Sequence, residues 1–118
     1  MAKVYGIHEI EVYPGANEEE MVKVTQEIQN VYLEIGWKII LLKGDRGQRE
    51  GKYAILYEIP SVEARDRSSP VAGENSEEIL QWASKHRELF QELGVRWASF
   101  SPTNLLTHLE YTDYIELE

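Results

Sequence analysis

The chain has 118 residues, a formal net charge of −9 and no cysteine, and these facts exclude several classes of protein. The length fits a single domain over residues 1–118, large enough to bury a core without disulfides. Without cysteine there is no thiolate nucleophile, no cysteine-based zinc site and no iron–sulfur cluster. An acidic surface repels phosphate groups, so neither nucleic acid nor an anionic membrane is expected as a partner.

The distribution of apolar residues bears on location. No apolar run approaches the ~20 residues that are needed to cross a bilayer. The first residues turn polar too early for a signal peptide. We therefore expect a cytoplasmic protein, and the absence of cysteine fits that compartment.

The first predicted element is a strand over residues 3–13. The face expected to meet the core carries Val4, Gly6, His8, Ile10 and Val12. The other face mixes aromatic side chains with carboxylates, and its members are Tyr5, Ile7, Glu9, Glu11 and Tyr13. That second face suits solvent, the rim of a cleft or a partner subunit.

A long helix is predicted over residues 17–35. Asn17 can cap it, and Glu20 lies three residues later, as a capping box requires. One apolar stripe runs along it at three- and four-residue spacing, through Met21, Val24, Ile28, Val31 and Ile35. Gly36 follows at the place where a left-handed residue usually ends a helix.

Residues 37–60 predict a long β-hairpin at the centre of the sheet. Two apolar arms flank a polar loop over residues 44–51 that contains three glycines. Both arms are apolar on both faces, which is typical of strands that are covered on both sides. One helix layer covers only one face, so a second subunit is the simplest cover for the other.

The remaining chain predicts a short helix over residues 61–67, a second long helix and a last strand. Asn75 is the expected cap of the long helix and Gly94 its expected end. Residues 95–106 are interpreted as a connecting segment. The last strand is predicted over residues 107–117.

This order of elements predicts an α+β protein with the ferredoxin-like βαββαβ fold, in which a four-stranded antiparallel sheet carries its helices on one face. The chain also resembles the dimeric α/β-barrel superfamily, which includes antibiotic-biosynthesis-monooxygenase-like, EthD-like and NIPSNAP-like proteins. Residues 12–15 before the acidic helix start and residues 51–66 carry the resemblance. It implies a homodimer whose two sheets face each other and enclose a barrel or cleft that often holds small hydrophobic molecules.

The resemblance implies little about chemistry, because members of the superfamily range from cofactor-free oxygenases to proteins of unknown role. We carry over no catalytic residue from it. Its haem-degrading branch uses an Asn, a Trp and a His together, and the first predicted strand has no Asn. Haem binding is therefore only a third alternative, and no cofactor is expected.

Two histidines on otherwise apolar stripes, His8 and His86, are the candidate catalytic residues. Either one facing a cavity would serve as a general acid or base, whereas the structural alternative is a packed histidine bonded to a neighbour. No two histidines have the local spacing of a metal site, so no metal is expected.

Four other residues are candidate ligand contacts. Tyr13, Tyr57 and Trp82 belong to a set of aromatic residues that either line a pocket or fill a core and dimer interface. Arg46 lies in the glycine-containing loop, the only locally basic patch, and would approach an anion if that loop is more than a turn.

Two hypotheses of function follow. The first is a homodimer that handles a small apolar or aromatic compound, by cofactor-free oxygenation or by an isomerase-like proton transfer, with Tyr57 as the orienting donor. The second is a non-catalytic dimerisation or regulatory module, because the sequence contains no compact catalytic motif.

Overall fold

A computed structural model of the protein describes residues 2–71, 74–103 and 111–117. Its strands are β1 (Val4–Ile10), β2 (Lys38–Lys43), β3 (Tyr53–Ile59) and β4 (Tyr111–Ile115). Its α-helices are α1 (Glu18–Tyr32), α2 (Val62–Ser68), α3 (Glu77–Lys85) and α4 (Arg87–Ala98), and a 3₁₀ turn (Leu33–Ile35) follows α1.

The four strands form one antiparallel sheet in the order β2-β3-β1-β4. This order, with a helical connection after β1 and another after β3, is the ferredoxin-like arrangement, so the predicted fold class is confirmed. The hairpin forms as predicted, but its central position is wrong. Strand β2 lies at an edge, and the two interior strands are β1 and β3.

Helix α1 begins and ends where local chemistry predicts. The side chain of Asn17 accepts a hydrogen bond from the backbone N–H of Glu20 at 3.2 Å. Gly36 has a φ of +79°, the left-handed conformation that glycine adopts without steric cost. The helix lies against β2, where the side chain of Gln29 accepts from the N–H of Ile39 and donates to the carbonyl of Trp37.

The second helical region differs from the single long helix that was predicted. Helix α2 forms with Ser61 as its cap, but the cap of α3 is Ser76, whose hydroxyl accepts from the N–H of Ile79 at 3.2 Å, and not Asn75. The chain then breaks at His86, which separates α3 from α4. Gly94 does not end a helix: it lies inside α4, which continues to Ala98.

The core lies between one face of the sheet and helices α1 and α4. Its buried cluster contains Ile10, Met21, Val24, Ile39, Ile55, Leu93, Trp97 and Phe100. Leu93 and Trp97 explain why α4 passes through Gly94, since burying two large side chains outweighs the ~1 kcal/mol that a helical glycine costs.

The register fixes which side chains share a face. Val4, Gly6, His8 and Ile10 are buried and face the helices, as predicted for the first strand. Residues 107–110 of the predicted last strand lie outside the described residues. Among those described, no helix combines the length and apolar character needed to cross a membrane.

Removing side-chain volume from the core should destabilise the fold. Met21 is fully buried, so Met21→Ala is expected to lower the free energy of unfolding by about 2–5 kcal/mol. The neighbouring Val22 is 43% exposed, and Val22→Ala should cost less than about 1 kcal/mol. Urea unfolding followed by circular dichroism measures both changes, and equal losses would contradict the assigned core.

Candidate functional site

The first candidate residue, His8, is buried on the helix-facing side of the sheet. It is 2% exposed, and it pairs in register with Ile55 of β3. Tyr57 lies two residues further along β3 on the same face, opposite Gly6. Both His8 and Tyr57 are engaged in interactions within the fold. The structure therefore places the predicted base and the predicted orienting donor on neighbouring strands of one face.

The environment of Tyr57 decides what its hydroxyl can do. Loss of solvent contact raises the pKa of Tyr57 strongly above the ordinary value for tyrosine. Ionisation of its hydroxyl is therefore less favourable than in an exposed tyrosine, which argues against a role as a phenolate base.

Tyr57 also borders a continuous group of aromatic rings. We call this group the aromatic cluster, and its members are Tyr32, Trp37, Tyr57, Trp82, His86 and Phe90. Neighbouring ring centroids lie between 5.1 and 6.3 Å apart, mostly in edge-to-face geometry. Such pairs contribute about 0.5–1.5 kcal/mol each beyond the area they bury. The aromatic cluster thus fastens α3 and α4 to α1 and to the start of the hairpin.

Glu34, in the 3₁₀ turn, closes the outer end of the aromatic cluster. One oxygen of its carboxylate, Oε1, accepts from Trp82 Nε1 at 3.1 Å and lies 2.9 Å from His86 Nε2. Hydrogen bonding to His86, and then to Trp82, holds the pKa of Glu34 below its usual value. Glu34 therefore brings together a candidate catalytic residue, His86, and a candidate ligand contact, Trp82. The sequence analysis did not predict a role for Glu34.

The contact between Glu34 and His86 can be interpreted in two ways, as part of a catalytic site or as a structural contact. With Nε2–H donating to Glu34, the free basic nitrogen of His86 is Nδ1, as a general base requires. His86 is also the residue at which the chain turns from α3 into α4, and its carboxylate partner holds that turn against α1. The structural interpretation requires no ligand.

A wide groove lies at another place, between the end of β1 and the hairpin loop. This hairpin groove has a volume of about 700 Å³ and is lined by residues 9–16, Glu18, Arg49 and residues 51–53. Tyr13 belongs to its wall and is 47% exposed. Arg46 does not line the groove: it is exposed near the tip of the loop.

Arg49 and Glu18, rather than Arg46, organise the polar side of the hairpin groove. Arg49 lies 3.2 Å from the carboxylate of Glu9 and donates to the carbonyl of Tyr53 at 2.9 Å. Glu18 accepts from the hydroxyl of Tyr53 and from Lys43, both at 2.6 Å. These bonds lower the pKa of Glu18 and tie the start of α1 to the hairpin. The described residues contain no group of three or more metal-ligating side chains.

The face of the sheet that turns away from the helices is a third feature. This open face has three cross-strand rows, given in the order β2, β3, β1, β4. The first is Lys38, Glu58, Tyr5 and Tyr114, the second is Ile40, Leu56, Ile7 and Thr112, and the third is Leu42, Ala54 and Glu9. Leu42 is 40% exposed and Tyr114 is 56% exposed. Aliphatic residues thus occupy the middle of a surface that the core does not use.

Fold and register define an α+β protein of the ferredoxin-like type. No protein-family model matches the chain, and no curated protein matches its sequence. Among solved structures, it is similar to a dimeric protein of unknown function and ferredoxin-like fold from Bacteroides fragilis NCTC 9343. The two share 13% identity with a TM-score of 0.44, over 95% of this chain and 94% of that chain. The closer resemblance to monooxygenase-like, EthD-like and NIPSNAP-like proteins stays a prediction.

The link between Glu34 and His86 predicts a pH dependence of stability. Because the folded state lowers the pKa of Glu34, its carboxylate stabilises the fold at neutral pH, and that contribution is lost as the pH falls below the ordinary value of 4.5. Glu34→Gln should therefore lose stability at pH 7, and its difference from wild type should shrink on acidification below pH 4.5.

Thermal unfolding of wild type and Glu34→Gln, from pH 7 to below pH 4.5, measures the difference in stability between them. Glu92→Gln is the charge-matched control, since Glu92 is exposed on α4 and forms no ion pair among the described residues. A constant difference between Glu34→Gln and wild type at all pH values would contradict the assigned role of the carboxylate.

Proposed function

We propose that the protein is a homodimer of the dimeric α/β-barrel type that binds a small, largely apolar molecule. The observation that carries this proposal is the apolar open face. Ile7, Ile40 and Leu56 adjoin one another in its middle row, with Leu42 and Ala54 beside them in the next row. Exposed apolar patches bordered by polar residues are typical of protein–protein interfaces.

A second copy of this chain is the partner that best fits this face. The helices already pack on the opposite side of the sheet, where α1 and α4 meet the core. The edge strand β4 does not carry the aliphatic middle of this face, because its residues in the first two rows are Tyr114 and Thr112. Face-to-face packing instead buries the aliphatic rows, as in proteins built from two packed sheets.

The hairpin groove is the candidate ligand site. Val12, Tyr13 and Tyr53 offer apolar surface, while Arg49 and Lys52 offer donors at its polar side. Because polar atoms make up more of the lining than apolar ones, a compound with an aromatic body and a polar end fits this groove better than a wholly apolar one. Glu9 belongs both to the groove and to the open face, so a partner on that face would stand beside the ligand.

His8 or His86 as the acid–base group, with Tyr57 as the orienting donor in a cofactor-free oxygenation or a proton transfer, stays a prediction from the sequence. None of the three residues lines the hairpin groove, so a reaction that used them would take place at another site. The non-catalytic alternative is favoured by a specific observation. His86 and Trp82 both bond to Glu34 at the exposed outer end of the aromatic cluster, an arrangement that joins α3 to the 3₁₀ turn after α1 without a ligand. The acidic, cysteine-free composition fits a cytoplasmic protein on either account.

Placing a charge in the open face should prevent dimerisation. Leu56→Lys would bury an unpaired ammonium in the interface, and we expect the dimer dissociation constant to rise by about 100-fold or more. Size-exclusion chromatography with light scattering measures the mass. Leu33→Lys is the control, because Leu33 is 62% exposed on the 3₁₀ turn, away from this face.

Two outcomes would overturn the proposed dimer. One is a wild-type protein with the mass of a single chain, and the other is a Leu56→Lys variant that keeps its fold and the mass of two chains. Circular dichroism verifies the fold. Leu42→Lys repeats the test at a side chain that is already 40% exposed, so we expect it to change the stability of the single subunit by less than about 1 kcal/mol.

Ligand binding is tested with the apolar fluorescent probe N-phenyl-1-naphthylamine. Tyr13→Ala should weaken its binding by about 5-fold, through loss of one ring contact. Leu80 is 55% exposed on α3, so Leu80→Ala is the control and should leave the affinity unchanged. Equal binding by wild type and Tyr13→Ala would remove the hairpin groove as the site.

A further inference from the structure

The apolar part of the open face is not centred on the sheet but runs diagonally across it. It begins at Leu42 and Ala54 in the third row, crosses the second row at Ile40, Leu56 and Ile7, and ends at Tyr5 and Tyr114 in the first row. We call this set the diagonal band. Among the described residues, one of the two corners outside the band holds Lys38 and the opposite one is bordered by Glu9 and Thr112.

The direction of the diagonal band follows from the dimensions of a sheet. From β2 to β4 it crosses three strand spacings, about 14 Å, and over two rows it advances four residues, also about 14 Å. The diagonal band therefore makes an angle of about 45° with the strands.

The two polar corners carry different charges. At one corner Lys38 lies beside Glu58, whose own ion pair is with Lys3 at 2.7 Å. Lys3 also lies near Glu116, so Lys3 is balanced by two carboxylates, whereas Lys38 has only the shared Glu58 beside it. At the other corner Glu9 is 48% exposed, and its described cationic neighbour is Arg49. Lys38 is thus an exposed cation with no ion pair among the described residues, and Glu9 retains solvent-exposed carboxylate surface.

Symmetry leaves few ways to pair such a face with itself. In a twofold dimer, when one residue contacts a second residue of the partner, the second residue also contacts the partner's copy of the first. A face that packs on its own copy needs the twofold axis in the plane of the interface. Only two such axes superpose the diagonal band on its copy: one along the band and one across it. The axis across the band places Lys38 near the partner's Lys38 and Glu9 near the partner's Glu9. The axis along the band places Lys38 near the partner's Glu9.

We propose that the twofold axis runs along the diagonal band, so that Lys38 of each subunit faces the partner's Glu9. This inference rests on the proposed dimer and specifies its geometry. An axis at about 45° to the strands makes the two sheets cross at about 90°, which is one of the two common modes of sheet packing. Leu56 then meets the partner's Ile7, and Ile40 packs over the partner's Ala54, a large residue over a small one.

The two axes differ in what lies opposite Leu42, at one end of the diagonal band. With the axis along the band, Leu42 meets the partner's Leu42. With the axis across the band, Leu42 meets the partner's Tyr114. The natural chain has no cysteine, so an engineered thiol is the only one present.

Cross-linking with a short bis-maleimide distinguishes these arrangements. Leu42→Cys alone should give a covalent dimer, whereas Leu33→Cys, away from the open face, should not. If Leu42→Cys gives none although the wild type is dimeric, the proposed axis is wrong; a covalent dimer formed only by Leu42→Cys combined with Tyr114→Cys would identify the other axis. A monomeric wild type would instead refute the proposed function, so the two failures are distinguishable.

Variants with reversed charges test the direction of the twofold axis independently. Glu9→Lys and Lys38→Glu should each raise the dimer dissociation constant by about 10-fold, because two symmetry-related pairs become repulsive. The double variant should restore most of the affinity. With the other axis, each single reversal would replace one like-charge pair by another, so no loss and no rescue would be observed. Sedimentation velocity measures all four proteins.

Discussion

The four-stranded sheet carries apolar side chains on both of its faces, and the helices that the structure describes cover only one of them. On the covered face, Ile10, Ile39 and Ile55 meet α1 and α4 in the buried core. On the open face, Ile7 and Leu56 are paired across β1 and β3 but keep partial exposure. This difference between the two faces is the physical reason to infer a second subunit. A subunit on the open face would also lie beside the hairpin groove, because Glu9 belongs to both.

A second constraint comes from the turn between α3 and α4. The chain changes direction at His86, and a single carboxylate oxygen of Glu34 accepts from both that imidazole and Trp82. These two contacts join α3, and the residue between α3 and α4, to the 3₁₀ turn after α1. Leu93 and Trp97 then reach the sheet and complete the core. The histidine that looked catalytic in the sequence is therefore also a determinant of helix packing.

Local signals in the sequence predicted the elements well where one side chain decides the outcome. Asn17 caps α1 and Gly36 ends its last turn, because hydrogen bonding and a left-handed backbone are properties of single residues. The sequence predicts the cap of α3 one residue early, at Asn75 instead of Ser76, because Asn and Ser are both good caps. The neighbouring sequence does not determine which of these two side chains accepts a hydrogen bond from the backbone N–H three residues later.

The remaining differences depend on contacts between distant parts of the chain. The residue at the break between α3 and α4, His86, contacts Glu34, which lies 52 residues earlier. The choice of Arg49 over Arg46 at the hairpin groove depends on which arginine reaches Glu9 of another strand. The position of β2 at the edge follows from the pairing of β1 with β3. No periodicity within one element contains this information, whereas the two-sided apolar hairpin did indicate an open face.

Sedimentation equilibrium of the wild-type chain over a dilution series tests the central claim most directly. We predict the mass of two chains at micromolar concentration and dissociation to single chains on dilution. A mass of one chain throughout the series would contradict the account, because the apolar open face would then be stable in water without a partner.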